Sequence, residues 1–161
     1  MIEVKLSADE MYQAAIIGAH RRITCMFGRN ADKRQKDRRN NNWTIDIEAC
    51  GAEIAVAKLL NKYWIGGSFD GQQKYDVANK QVRHTPHDNG VIYIYPRDDP
   101  SHEYILVTGI APDFKIIGSI LGKTVQNLGY THDWWLYPKA KLIPSWWVPQ
   151  SALMKLKEDV G

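Results

Sequence analysis

The sequence predicts an α/β fold in which a helix precedes a mixed central sheet, framed by an N-terminal helix and a Trp-rich C-terminal segment. Three observations carry this prediction. Apolar residues recur at helical spacing in two stretches, to about position 28 and again over about 45–61, and β-branched and aromatic runs then follow one another to about position 121. Trp134, Trp135, Trp146 and Trp147 crowd the remainder, punctuated by Pro138, Pro144 and Pro149. At 161 residues, 44% of them hydrophobic, the chain can bury a substantial core without disulfides or structural metal, so positions 1–161 read as one domain.

Ser7-Ala8-Asp9-Glu10 has the form of a capping box, in which the Ser hydroxyl accepts from the Glu10 amide and the Glu10 carboxylate reaches back to the Ser7 amide. A helix should begin there. Met11, Ala14, Ala15, Ile17, Ile23 and Met26 continue it at helical spacing, and Gly28 offers an end signal. Positions 29–42 hold almost nothing apolar and finish in three asparagines, which predicts a basic flexible loop. A second helix is expected over about 45–61, with Thr44 or Asp46 near its start. Ile47, Cys50, Ile54, Val56, Ala57 and Leu60 give it a broad apolar surface for burial.

Gly66, Gly67 and Gly71 mark a loop before Tyr75-Asp76-Val77, after which Gln81-Val82-Arg83-His84-Thr85 alternates as a strand does. Asp88-Asn89-Gly90 is a turn signal and Val91-Ile92-Tyr93-Ile94-Tyr95 reads as the next strand, so the two are expected to pair as an antiparallel hairpin. Tyr104-Ile105-Leu106-Val107-Thr108-Gly109 is apolar nearly throughout, as a strand buried on both faces would be, and positions 114–121 supply another. A short helix is expected over 149–157. The tryptophans fit core packing at a domain edge; the alternative is stacking on single-stranded bases.

Composition narrows the function classes. No run of about 18 apolar residues occurs and the chain opens Met-Ile-Glu-Val-Lys, which predicts neither membrane span nor secretion signal. Cys25 and Cys50 match no zinc spacing and are expected as buried free thiols in a reducing, cytoplasmic setting. The net charge of +3 conceals an asymmetry. From Arg21 to Arg39 eight basic residues face only Asp32 and Asp37, giving +6 in that window and leaving −3 for the rest of the chain. Within it Arg29, Lys33, Arg34, Lys36, Arg38 and Arg39 are candidate contacts to a nucleic-acid backbone; the bland alternative is a solvated loop. Gly118 to Thr124 tempts as a nucleotide loop, but position 117 is Ile where the phosphate cradle needs Gly, so a strand-to-helix junction is expected instead.

Candidate chemistry rests on Glu53 in the second helix, Asp76 at a loop-to-strand transition, and Gln81-Val82-Arg83 in the strand after it. Residues two apart in a strand share a face, so Gln81 and Arg83 are expected to point outward together while Val82 points into the core. With Asp76 at the start of that hairpin and the helix alongside, oxygen donors would converge in a way that suits Mg²⁺ or Mn²⁺. Glu48 falls on another helix face, and His87 is a weaker candidate beside the turn.

In these residues the chain resembles the PD-(D/E)XK nuclease superfamily, small phage-type members above all. The likeness covers about half the chain, from Gly51-Ala52-Glu53-Ile54-Ala55-Val56-Ala57-Lys58 through Asp76-Val77 and Gln81-Val82-Arg83 to Ile120. It implies a restriction-endonuclease-like core, DNA as partner, phosphodiester hydrolysis with Mg²⁺ or Mn²⁺, and a host-cell cytoplasmic location. By that resemblance Glu53, Asp76 and the Val82 carbonyl would hold metal, with Gln81 and Arg83 completing the catalytic site. Members often act in pairs, so a homodimer is also implied, although no segment marks an interface.

The third motif departs from the superfamily pattern. Gln81 stands for the acid and Arg83 for lysine, which removes a negative charge from the metal site and makes a poor general base of the cation. A catalytically inactive nucleic-acid-binding or DNA-packaging accessory protein of the same fold is therefore the competing reading. A protein-interaction module using the Trp-rich surface is the more distant one.

Overall fold

The computed structural model describes residues 1–27, 42–66, 75–136 and 143–156. Strand β1 (Ile2–Lys5) leads into helix α1 (Ala8–Phe27), and α2 (Asn42–Leu59) follows. Then come β2 (Lys80–Thr85), β3 (Ile92–Ile94), β4 (Glu103–Ile110), β5 (Asp113–Leu121), the short helix α3 (Gly122–Gln126), β6 (Trp135–Leu136) and β7 (Ser145–Val148). The expected mixed α/β character is present, and so is the mixed sheet. Four strands lie in the order β1-β5-β4-β2, with β2 parallel to β4 and the other pairs antiparallel. A second sheet has the order β3-β7-β6.

The capping box forms as the sequence predicts: Glu10 Oε2 accepts from the Ser7 amide at 2.6 Å, and the Glu10 amide donates to Ser7 Oγ at 3.3 Å. The ion pairs Glu10–Lys58 and Arg22–Asp46 join opposite ends of α1 and α2, so the two helices run antiparallel. Helix α2 begins three residues before the expected start and ends at Leu59. Its C-terminus closes through Asn61 (φ 47°), with bonds from the Asn61 amide to the Lys58 carbonyl and from the Lys62 amide to the Ala57 carbonyl. That pairing satisfies two carbonyls the helix would otherwise leave open.

Strand β4 divides the core. Ile105 and Val107 pack under α1 and α2 with Leu6, Cys50, Val56, Val77, Phe114 and Ile116, whereas Tyr104 and Leu106 pack against Ile92, Ile94, Trp146 and Val148 of the second sheet. The layers are therefore helices, first sheet and second sheet. A bulge keeps β5 consistent with both cores: opposite Leu106 stands Gly118, opposite Val107 stands Ile116, and the extra Ile117 switches the facing of the residues beyond it. Phe114 and Ile116 then face the helices while Ile120 faces the second sheet.

Several expectations need correction. The segments 81–85 and 91–95 do not form a hairpin, because β2 pairs with β4 and β3 pairs with β7 in the other sheet. The turn itself is present, with the Gly90 amide on the His87 carbonyl and the Gln150 side chain holding the Asp88 and Gly90 carbonyls. Burial of Ile92 and Ile94 beneath Tyr104 and Leu106 decides the partner, since β3 can only cover that face by leaving the first sheet. The helix expected over 149–157 is a single 3₁₀ turn, Gln150–Ala152. Strands β1, β6 and β7, two to four residues long, are not anticipated by the sequence pattern. Cys50 is buried as expected, but Cys25 is only half-buried.

The tryptophans pack as core and edge. Trp146 is buried, and Trp134 and Trp135 lean on the same cluster. Gly122-Lys123-Thr124 is the strand-to-helix junction, where the Gly122 and Lys123 amides donate to the His102 and Pro100 carbonyls rather than standing open. The predicted loop and its basic residues Arg29, Lys33, Arg34, Lys36, Arg38 and Arg39 lie outside the described residues.

Gly18 sets the approach of the two helices. A Cβ there would lie 2.7 Å from the Ile47 Cα and 2.8 Å from its nitrogen, and a backbone cannot yield as a side chain does. Gly18→Val should cost about 2 kcal/mol of stability by overpacking. A fall in the urea midpoint at unchanged slope checks this; an unchanged midpoint would show that α1 and α2 separate freely.

Candidate active site

Arg21 lies three residues beyond Gly18, on the flank of α1 that turns toward α2. Side chains of a helix lean toward its N-terminus, so in this antiparallel pair the Arg21 guanidinium extends toward the C-terminal half of α2. There it meets Glu53, which is 5% exposed. Arg21 Nη1 donates to Glu53 Oε1 at 2.6 Å and Nη2 to Oε2 at 2.8 Å, and Trp64 Nε1 adds a third bond to Oε2 at 2.9 Å. Nη2 also donates to the Gly66 carbonyl at 3.0 Å, which ties the segment after α2 to the pair.

Asp76 arrives from the other side. A tight reversal links Val77 to Lys80, with Ala78 in the left-handed region (φ 52°) and the Asp76 and Val77 amides both donating to the Lys80 carbonyl. This folds Asp76 back along β2, where its Oδ2 accepts from the Val82 amide at 2.7 Å. Among the described residues β2 is an edge strand of its sheet. A strand residue directs its N–H and C=O to the same side, so the Val82 carbonyl points out of that edge beside Asp76.

The two carboxylates are electrostatically linked. Burial raises the Glu53 pKa, and the charge of Asp76 raises it further against the hydrogen bonds and charge of Arg21. Burial also raises the pKa of Asp76, opposed by the Val82 amide and by the charges of Arg83 and Arg21. Burial works against the charge on Arg21, but the Glu53 carboxylate overrides it and drives the guanidinium pKa further up. Cys50 adjoins the cluster; burial first, and then Glu53 against the pull of Arg21, push its thiol up to about 12. It stays protonated at neutral pH and is no nucleophile.

Gln81 and Arg83 point together, as strand alternation requires, but not to the Glu53 side. Val82 packs into the core beneath the helices, so its two neighbours face the second sheet, opposite Tyr104 and Leu106 in register. Arg83 Nη2 donates to Asp98 Oδ2 at 3.1 Å and its guanidinium lies 5.1 Å from the Tyr104 ring centroid. Both are half-buried rather than open to solvent. The expectation of an outward polar pair joining Glu53 is corrected accordingly; only the charge of Arg83 reaches Asp76. The first sheet carries a polar pair on its helix side in their place, Lys80 with Glu103, to which Ser119 also donates.

Arg21 and Trp64 escaped sequence reasoning as site residues. Arg21 registers in the sequence only as the first charge of the basic window, and Trp64 falls within no pattern that singles it out. Arg21 at three residues past a helix-facing glycine was the one signal present.

Among the described residues no group of three or more His, Cys, Asp or Glu side chains forms a metal cage. A magnesium-type site asks for less, often one or two carboxylates with water and substrate oxygens completing the shell. The donors available here are the buried Glu53 carboxylate, the half-buried Asp76 carboxylate and the adjoining Val82 carbonyl. Three donors occupy Glu53, whose carboxylate offers about four acceptor positions, so one remains.

No family model matches the chain, and no curated protein or solved structure matches it. No described helix is long and apolar enough to cross a membrane.

Because the folded state favours the protonated form of Asp76, its ionisation lowers stability as pH rises from the ordinary value of 3.8 through the raised folded value, and the cost is absent below 3.8. Asn can still accept from the Val82 amide without the charge. Asp76→Asn in EDTA should therefore be more stable than wild type at pH 7, with the difference closing as pH falls below 3.8. Urea denaturation across pH 3–7 checks this, and a variant less stable at pH 7 would contradict the assigned burial cost.

Proposed function

We propose that the chain is a Mg²⁺- or Mn²⁺-dependent nuclease acting on DNA phosphodiesters, with its reaction centre at the open edge of β2. The observation that carries this reading is the convergence of buried Glu53 and half-buried Asp76, from segments 23 positions apart, beside the Val82 carbonyl, with the charge of Asp76 opposing ionisation of Glu53. Burial makes both carboxylates costlier to ionise despite their hydrogen bonds, and perturbed groups of this kind cluster where chemistry needs them. Glu53, Asp76 and the Val82 carbonyl would hold the cation. Once bound, a divalent ion would polarise a phosphoryl oxygen and lower the pKa of an attached water.

The remaining roles fall to this chain's own side chains. Arg83 is fixed by Asp98 and Tyr104, and a guanidinium has no lone pair to accept a proton, so it orients or stabilises phosphate. Gln81 contributes an amide, not a charge. Arg29, Lys33, Arg34, Lys36, Arg38 and Arg39 belong to the segment that joins α1 to α2, the two helices carrying Arg21 and Glu53, and supply phosphate contacts from there. Resemblance to the PD-(D/E)XK superfamily in the order helix acid, Asp and strand motif supports the same reading. It also carries the expectations of a restriction-endonuclease-like core, phage origin, cytoplasmic location and a homodimer.

A second reading has its own support. The Arg21–Glu53 pair is bidentate and needs no metal to balance Glu53. A nucleic-acid-binding or DNA-packaging accessory protein that has lost hydrolysis would keep such a pair for stability.

Purified protein incubated with circular and linear, single- and double-stranded DNA should cleave in Mg²⁺ or Mn²⁺, not in EDTA. Asp76→Asn should reduce the rate by at least about a hundredfold, as expected when a group central to the reaction is lost. Salt-sensitive binding without cleavage selects the second reading, and absence of both binding and cleavage overturns both.

A further inference from the structure

Arg21 is bonded to the oxygens that a cation at Glu53 would need. Its two terminal nitrogens take one carboxylate oxygen each, at 2.6 and 2.8 Å, and Trp64 takes a second position on Oε2. The guanidinium is 29% exposed at its side chain, so the pair is only partly screened by water. A divalent ion beside Glu53 and Asp76 would stand next to this guanidinium, with like charges in a part-buried site. One acceptor position on Glu53 stays open, but an ion there would face the guanidinium directly, so repulsion between like charges rather than a shortage of lone pairs sets the two against each other.

We propose that Arg21 is a resident cation standing in for the divalent ion at Glu53, so that ion binding and the bidentate Arg21–Glu53 pair exclude one another; this rests on the metal-dependent reading above. The device explains how the buried Glu53 carboxylate is balanced without metal. It also links metal to nucleic acid. Arg21 lies six residues before the end of α1, which leads directly into the basic segment. A guanidinium freed from Glu53 carries the planar fork that phosphate oxygens accept bidentately, so loading the site adds a phosphate-binding group on the same helix.

The test is Mn²⁺ binding to the whole chain, by calorimetric titration and by the loss of free Mn²⁺ paramagnetic signal, in wild type, Arg21→Gln, Arg21→Lys and Asp76→Asn. Thermal melts in EDTA and in Mn²⁺ accompany it. Arg21→Gln should melt lower than wild type in EDTA, bind Mn²⁺ at least about tenfold more tightly, and show the larger Mn²⁺-induced rise in melting temperature. Arg21→Lys should fall between, because an ammonium keeps the charge but loses the fork. Equal or weaker Mn²⁺ binding in Arg21→Gln, with binding still lost in Asp76→Asn, overturns the exclusion and leaves the metal site standing. Mn²⁺ binding that survives Asp76→Asn, or that is absent from every variant, overturns the metal reading and the exclusion with it. Should Arg21→Gln fail to fold, Arg21→Lys decides: no gain over wild type overturns the proposal.

Discussion

Strand β4 is buried on both faces, with Tyr104 through Thr108 inaccessible in sequence, and the placement of the other elements answers to that burial. One face of a sheet can be covered by an amphipathic helix pair, which α1 and α2 provide. The other face needs a second layer, and β3, β6 and β7 supply it as a small sheet rather than as extensions of the first. The bulge at Ile117 belongs to the same solution, because it lets one continuous β5 feed apolar side chains first to the helices and then to the second sheet. Covering both faces in this way leaves β2 at the margin of its sheet among the described residues, with its outer main-chain groups directed to Asp76 and the Lys80 turn.

Charge is concentrated where that margin meets the helices. Asp76 is held by a main-chain amide and Glu53 by a guanidinium and an indole, yet burial leaves both carboxylates harder to ionise than free ones. The arrangement differs from the surface pairs Lys5–Asp113 and Lys115–Asp88, which water screens and which contribute little. In a part-buried site the balance between Arg21, Glu53 and Asp76 matters, and removing Arg21 or Glu53 leaves the charge of the other uncompensated. Ala78, held at positive φ in the turn that delivers Asp76, adds a further local cost at the same place.

The separation of Arg83 from Glu53 bears on any chemistry at this edge. The two lie on opposite sides of β2, and Asp76, bonded in the plane of the strand, is the group both positive charges act upon. Asp98 and Tyr104 keep Arg83 in place, and the Gln126 side chain fixes the Asp98 carbonyl in turn. The second sheet thus supports one side of the edge while the helices support the other.

Local signals in the chain sufficed for the elements whose causes are local. The Ser7-Glu10 capping box, the periodicity of both helices, the doubly buried β4 and the Gly122 junction all appear where the residues indicate, and Glu53 and Asp76 stand out by type and order. Pairing was not legible in the same way. Strand β2 alternates identically whether its neighbour is β3 or β4, and only the burial of Ile92 and Ile94 on the far face of the sheet selects β4. The short strands β1, β6 and β7 escape for a related reason, since two to four residues carry too little pattern to declare a strand before a neighbour pairs with them. Sequence by itself determined which residues could carry charge into a core; tertiary structure decided that Arg21 rather than Arg83 would meet Glu53. That choice follows from the close approach of two helices at Gly18 and from the alternation of β2, distances that exist only once the layers have packed.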